Sequence, residues 1–105
     1  MEDRFEISLL MDHYGDLLTE KQQRIMNLYF DEDFSLSEIA ELNGSSRQAV
    51  LDLIKRVHGT LRGYEARLGL QRQSEELEAK KLRIIQRLEE LGQTDETLID
   101  LIRDL

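Results

Sequence analysis

The stretch Ser35–Arg56, SLSEIAELNGSSRQAVLDLIKR, constrains this chain more than any other, because it dictates two helices and the turn between them. Ser35 and Glu38 make an S-x-x-E capping box, in which the serine oxygen accepts from an orphan helix N–H and the glutamate accepts from the serine N–H. The helix that opens there is apolar at Leu36, Ile39 and Ala40. Asn43-Gly44 ends it, since glycine enters the left-handed conformation that a helix C-terminus commonly needs. A second helix starts at Ser45 or Ser46. Ala49, Val50, Leu53, Ile54, Val57 and Leu61 recur every three or four residues along it and predict one continuous buried face. Arg47, Gln48, Leu51, Asp52, Lys55 and Arg56 are left mostly on the opposite face.

Ala40, Gly44 and Val50 have the spacing of a DNA-type helix-turn-helix. The helices cross closely, so the first carries a small residue at the crossing; the turn is sharp, so it carries glycine; the second helix is anchored by an apolar side chain. The spacing also occurs in hairpins that touch no nucleic acid.

The rest of the chain reads as scaffold for this hairpin. With no proline and no cysteine among 105 residues, nothing interrupts a helix, no disulfide is available and a thiolate site is excluded. One domain with a helical extension is the expectation, all-α throughout, divided into residues 1–70 and 71–105. No apolar run reaches the roughly 18 residues of a membrane span. The start MEDRFEISLL is acidic where a secretion signal is basic, which places the chain in the cytoplasm.

Ahead of the hairpin, a first helix is expected from Glu2 to about Tyr14, with Phe5 and Leu9 on its buried side and Ile7, Leu10 and Tyr14 as further core positions, closed by Gly15. Thr19 and Gln22 form a T-x-x-Q capping box for a second helix, Glu20 to about Phe30, with Ile25, Met26, Leu28, Tyr29 and Phe30 as its core side. Asp31-Glu32-Asp33 stops it. Beyond the hairpin, Gly59, Gly63 and Gly69 place the end of the recognition helix between Thr60 and Leu68. A further helix is expected from about Arg72 to Leu91 with Leu77, Ile84, Leu88 and Leu91 on one stripe and Ile85 beside it, and a last one from about Asp95 to Asp104 carrying Leu98, Ile99, Leu101, Ile102 and Leu105. Leu70, Leu77, Ile84, Leu91, Leu98 and Leu105 fall seven apart, although Gly92 to Thr94 interrupts the register and Gln73, Lys80 and Arg87 occupy the second seam. Three arrangements would cover such stripes: folding back on the core, pairing with a second copy as a homodimer, or docking a partner helix.

Net charge is −8, which taken whole opposes a nucleic-acid partner. Its distribution is uneven: residues 1–35 carry nine acids and three bases, residues 36–69 four and five, residues 70–105 nine and six. The hairpin is thus the one segment that is not acidic. Its small positive excess makes a weak electrostatic footprint, so a single copy releases few counterions.

Within that segment, Arg47 and Gln48 stand in the first turn of the helix at the recognition position of a helix-turn-helix, and they are the side chains that pair bidentately with guanine and adenine. The bland reading is a solvated arginine and a glutamine that caps with Ser45. Ser46 and Thr19 carry hydroxyls for a phosphate, with capping as the competing role. Lys55, Arg56, Arg62 and Arg67 are candidate phosphate contacts, while Asp52 on the side of Lys55 repels phosphate. Catalysis finds no constellation: His13 and His58 lie on different helices without a nucleophile or a ligand pattern. Asp31-Glu32-Asp33 lacks the glycine and distal glutamate of a calcium loop. No enzyme activity, cofactor or metal is expected.

LTEKQQRIMNLYFDEDFSLSEIAELNGSSRQAVLDLIKR resembles the YlxM family of small bacterial proteins, whose helix-turn-helix is similar to region four of sigma factors. The likeness covers about Phe5 to Leu70 and is carried by Leu18 to Gln23, by Tyr29-Phe30-Asp31, by Ser35-Leu36 with Glu38-Ile39-Ala40, and by Ser46 to Val50 with Ile54-Lys55-Arg56. The chain departs from the family pattern at Asn43, Ser45 and Leu51, where an apolar residue, an apolar residue and a tyrosine are usual. The family is encoded beside genes of the signal recognition particle. The resemblance therefore implies a regulatory or accessory part in protein targeting, with DNA, a structured RNA or particle components as partners. The competing expectation is a non-catalytic interaction module that binds a basic partner through acidic surface or leucine stripes, without touching nucleic acid.

Overall fold

A computed structural model describes residues 4–93 and 95–105. Among the described residues there are six α-helices and no strand: α1 (Arg4–Tyr14), α2 (Glu20–Phe30), α3 (Leu36–Asn43), α4 (Arg47–Leu68), α5 (Leu70–Glu90) and α6 (Glu96–Arg103), with a 3-10 turn at Gly15–Leu17. The expected helix start at Glu2 and the Thr94 end of the interruption lie outside these residues. The chain separates into two compact units, Met1–Gly69 and Leu70–Leu105. No helix among the described residues is long and apolar enough to cross a membrane.

In the first unit, α4 is the central element and packs against α1, α2 and α3. Ile7, Leu10, Tyr14, Leu18, Ile25, Met26, Ile39, Ala40, Val50, Ile54, Val57 and Leu61 form one buried cluster. Both capping boxes are present: Thr19 Oγ1 accepts from the Gln22 N–H and Gln22 Oε1 from the Thr19 N–H, and Ser35 and Glu38 repeat the exchange. The end of α2 has its own device. Asp33 adopts φ +56°, the Phe34 N–H returns to the Leu28 carbonyl, and the Arg4 guanidinium lies over the Tyr29 and Phe30 rings while donating to the Tyr29 carbonyl. Arg4 thereby ties α1 to the C-terminus of α2, where a cation also suits the helix dipole.

Two expectations about buried positions change. Phe5 is 72% exposed, not buried. Ile7, Leu10 and Tyr14 at i, i+3 and i+7 form the inward face of α1, and Phe5 falls off that stripe. Ala49 is exposed as well, because Val50, Ile54, Val57 and Leu61 set the buried face of α4 and position 49 is turned away from it. The end of α4 falls within the expected span: the helix runs through Gly59 and Gly63 and stops at Leu68, where Gly69 takes φ +63°.

In the second unit, α6 packs on α5. Ile102 is buried, and Ile85, Leu88 and Ile99 are half-buried. Lys81 is the buried polar side chain here. Its ammonium donates to Glu78 Oε1 at 3.1 Å and to the Arg103 carbonyl at 3.0 Å, so a cation closes the C-terminal end of α6. Asp95 caps the other end by accepting from the Thr97 N–H.

Candidate nucleic-acid interface

The turn between α3 and α4 is a Schellman motif. Gly44 takes φ +61°, the Ser45 N–H reaches the Ala40 carbonyl at 3.0 Å and the Gly44 N–H reaches Glu41 at 3.3 Å. The residue after the glycine usually closes such a motif with an apolar contact, and here it is Ser45, which is exposed. Polar bonds act at the same end of α3 instead. Asn43 Nδ2 donates to the Ile39 carbonyl at 2.8 Å, and Arg24 of α2 donates to Asn43 Oδ1 at 3.2 Å. Thus Asn43, off the family pattern, is half-buried and hydrogen-bonded both along α3 and across to α2. Arg24 is the residue that sequence reasoning missed. Nothing in its local spacing announces a bond to a residue 19 positions away.

Ser46 is the N-cap of α4, its Oγ accepting from the Ala49 N–H at 3.1 Å. The hydroxyl proton is not used by that bond, so Ser46 can cap and still donate to an oxygen. Arg47, Gln48, Lys55 and Arg56 are all exposed along the first turns of α4, together with Asp52. Gln48, Asp52 and Lys55 follow at i, i+4 and i+7, so they share one outward stripe. Gln48 does not cap with Ser45. Its Nε2 donates to Asp52 Oδ1 at 2.8 Å, which occupies one of the two groups a bidentate contact to adenine requires. Arg47, Lys55 and Arg56 make no ion pair among the described residues, whereas Arg62 does. Arg62 binds Glu6 of α1 through two bonds of 2.9 and 3.1 Å, which holds the Glu6 carboxyl below the usual range and raises the guanidinium further. Arg62 therefore belongs to the α1–α4 scaffold, and Arg67 remains exposed near the far end of α4. Thr19 acts as the cap of α2.

Leu51 is half-buried, against the expectation of an outward residue. Leu51 is thus only partly open to solvent, unlike Gln48, Asp52 and Lys55. His58 is 15% exposed at its side chain, with Nε2 3.7 Å from Glu6 Oε1, and His13 lies on α1 beside Tyr14. Among the described residues, no group of three or more His, Cys, Asp or Glu side chains is arranged to hold a metal ion.

Comparison with known proteins agrees with this geometry. All of residues 1–105 match the UPF0122 family, whose description reads "Putative helix-turn-helix protein, YlxM / p13 like". A UPF0122 protein of Clostridium novyi (strain NT) is 52% identical over 91 residues, covering 87% of this chain and 79% of its own. Another, of Clostridium perfringens (strain 13 / Type A), is 47% identical over 98 residues, covering 93% and 88%. With the whole length matched and the hairpin closed as such a motif requires, this chain belongs to the UPF0122 family of YlxM-like helix-turn-helix proteins.

Proposed function

We propose that the protein is a nucleic-acid-binding regulatory or accessory factor that uses the α3–α4 hairpin, acting in the cytoplasm within the signal recognition particle pathway. The observation that carries the reading is the state of the cations on α4: Arg47, Lys55 and Arg56 stand exposed without an ion pair among the described residues, in a chain of net charge −8 where acids are plentiful. In this reading Arg47 and Gln48 face base edges, and Ser46, Lys55 and Arg56 contact phosphates. Asp52 holds one N–H of the Gln48 amide and so competes with the target for its orientation. The pathway assignment is supported by the family's genetic neighbourhood, and duplex DNA fits the hairpin better than A-form RNA, whose deep major groove excludes a helix. A homodimer would present two hairpins and offset the small positive charge of each.

A salt titration against promoter DNA and particle RNA tests this. Affinity is expected to fall steeply with salt, the slope to shrink by about 1 with Lys55→Ala or Arg56→Ala, and binding to be lost with Arg47→Ala. Asp52→Ala should bind more tightly by freeing Gln48 and removing a repelling charge. Absence of binding to either nucleic acid at low salt overturns the proposal. It would favour the second reading, a protein-interaction module, for which the leucines left exposed on the second unit are the specific observation.

A further inference from the structure

The sevenfold leucine register of the second unit is not buried within one chain. Leu70, Leu77, Ile84 and Leu91 remain 40%, 39%, 43% and 57% exposed, although α6 covers another side of α5. An apolar stripe of this length marks a protein contact surface. From the structure we infer that its occupant is a second copy of this chain, with two α5 helices packed antiparallel.

Three features of α5 select that occupant. The stripe is self-complementary: Leu70, Leu77, Ile84 and Leu91 are placed symmetrically about the midpoint of Lys80 and Lys81. Two antiparallel copies centred there bring Leu77 against Ile84 of the second copy and Leu70 against Leu91. A receptacle lies at the matching place. Lys80, Arg83, Ile84 and Arg87, spaced i, i+3, i+4 and i+7, line an apolar dimple together with Leu88. That diamond is the hole that takes a knob in helix pairing, and the register that centres the stripe delivers Leu77 of the second copy into it. Charge agrees along the flank. Glu76 and Arg83 lie on one side of the stripe, and the same register sets Glu76 of each copy beside Arg83 of the other. Arg83 makes no ion pair among the described residues, and the Arg72 contact to Glu76 is long at 3.9 Å.

Lys80 lies nearest the two-fold axis, opposite its own counterpart. Its charge opposes association and, like a polar residue on a coiled-coil seam, penalises other registers more than it adds to this one. The α5 helix, 21 residues long, is about 30 Å in length, so the paired face is on the scale of the roughly 800 Å² per partner of a standard interface.

The full-length protein is expected to sediment as a dimer across the micromolar range. Leu77→Asp and Ile84→Asp should each yield monomer while leaving far-UV circular dichroism unchanged, because both side chains are exposed in the single chain. Lys80→Leu should tighten the dimer, and Glu76→Arg combined with Arg83→Glu should restore what either reversal alone weakens. With no native cysteine, Lys80→Cys should crosslink to itself near the axis. Leu70→Cys alone should not, since the two copies of that position stand about 30 Å apart. A monomer throughout this range, a dimer insensitive to Ile84→Asp, or self-crosslinking of Leu70→Cys, which signals parallel pairing, would overturn the inference.

Discussion

Ile54 of α4 and Ile84 of α5 stand near the middle of helices of similar length, 22 and 21 residues, yet Ile54 is fully buried and Ile84 is 43% exposed. The difference lies in what surrounds each helix. Around α4 pack α1, α2 and α3, and side-chain bonds cross long stretches of chain: Arg4 to Asp33, Arg62 to Glu6, and the Tyr14 hydroxyl to Glu65. Against α5, within its own unit, packs only the eight-residue α6, and the ion pairs Arg72–Glu76, Lys81–Glu78 and Arg87–Glu90 are all between neighbouring turns. An amphipathic helix is therefore no guarantee of a closed core. The first unit encloses the central face of α4, and the second leaves part of the apolar face of α5 exposed.

Substitution at the two isoleucines tests that contrast most strongly. Ile54→Ala should lower unfolding free energy by about 2–5 kcal/mol, since a fully buried side chain leaves both lost burial and a cavity. Ile84→Ala should cost under about 1 kcal/mol when measured dilute enough for the protein to be monomeric. Denaturant titrations of both variants decide the matter, and equal losses would mean that α5 is as enclosed as α4.

Next in size is the hinge of the hairpin. A Cβ on Gly44 meets nothing within 4 Å, so the penalty of Gly44→Ala comes from the backbone alone, held at φ +61°. It should amount to about 1–2 kcal/mol, with Gly44→Asn milder because asparagine tolerates the left-handed region. A thermal melt showing no loss for Gly44→Ala would place the turn in some other conformation.

This turn was legible in the residues themselves, and so were the two capping boxes, because each device is completed within a few positions of the sequence. Phe5 and Ala49 were misplaced for the opposite reason. Apolar residues at 5, 7, 9, 10 and 11 allow more than one helical stripe, and only packing against α4 chooses Ile7, Leu10 and Tyr14. Arg24 and Arg62 were equally hidden, since one is bonded to Asn43 and the other to Glu6, far away in sequence. At the candidate interface, residue types and spacing were readable, but the Gln48–Asp52 bond depends on rotamers that spacing does not select.

The glycines inside α4 sharpen the same point. Gly59 and Gly63 lie within the helix with nothing within 4 Å of an added Cβ, so burial of Val57 and Leu61 outweighs their helix-breaking tendency. Gly59→Ala and Gly63→Ala should each stabilise the first unit by about 0.5–1 kcal/mol. Melting temperatures of the two single variants and the double check this, and a loss would reveal a contact made by the bare backbone.

The smallest expected effect concerns Glu6, whose bond with Arg62 joins α1 to α4 in a way the second unit's local ion pairs do not imitate. Hydrogen bonding from Arg62 comes first in lowering its carboxyl below the ordinary glutamate value of 4.5, with His58 also facing it at 3.7 Å. A carboxyl depressed in the folded state stabilises above its unfolded value and loses that contribution as pH falls through the folded one. Glu6→Gln should accordingly destabilise at neutral pH and converge with the wild type as both are acidified below 4.5. With its side chain 36% exposed, Glu6 should contribute no more than about 1 kcal/mol, and salt should reduce it. Denaturation at several pH values, repeated in a His58→Gln background to remove the second group that faces Glu6, isolates the carboxylate. A gap between wild type and variant that persists unchanged into acid would show that Glu6 acts there by shape and not by charge.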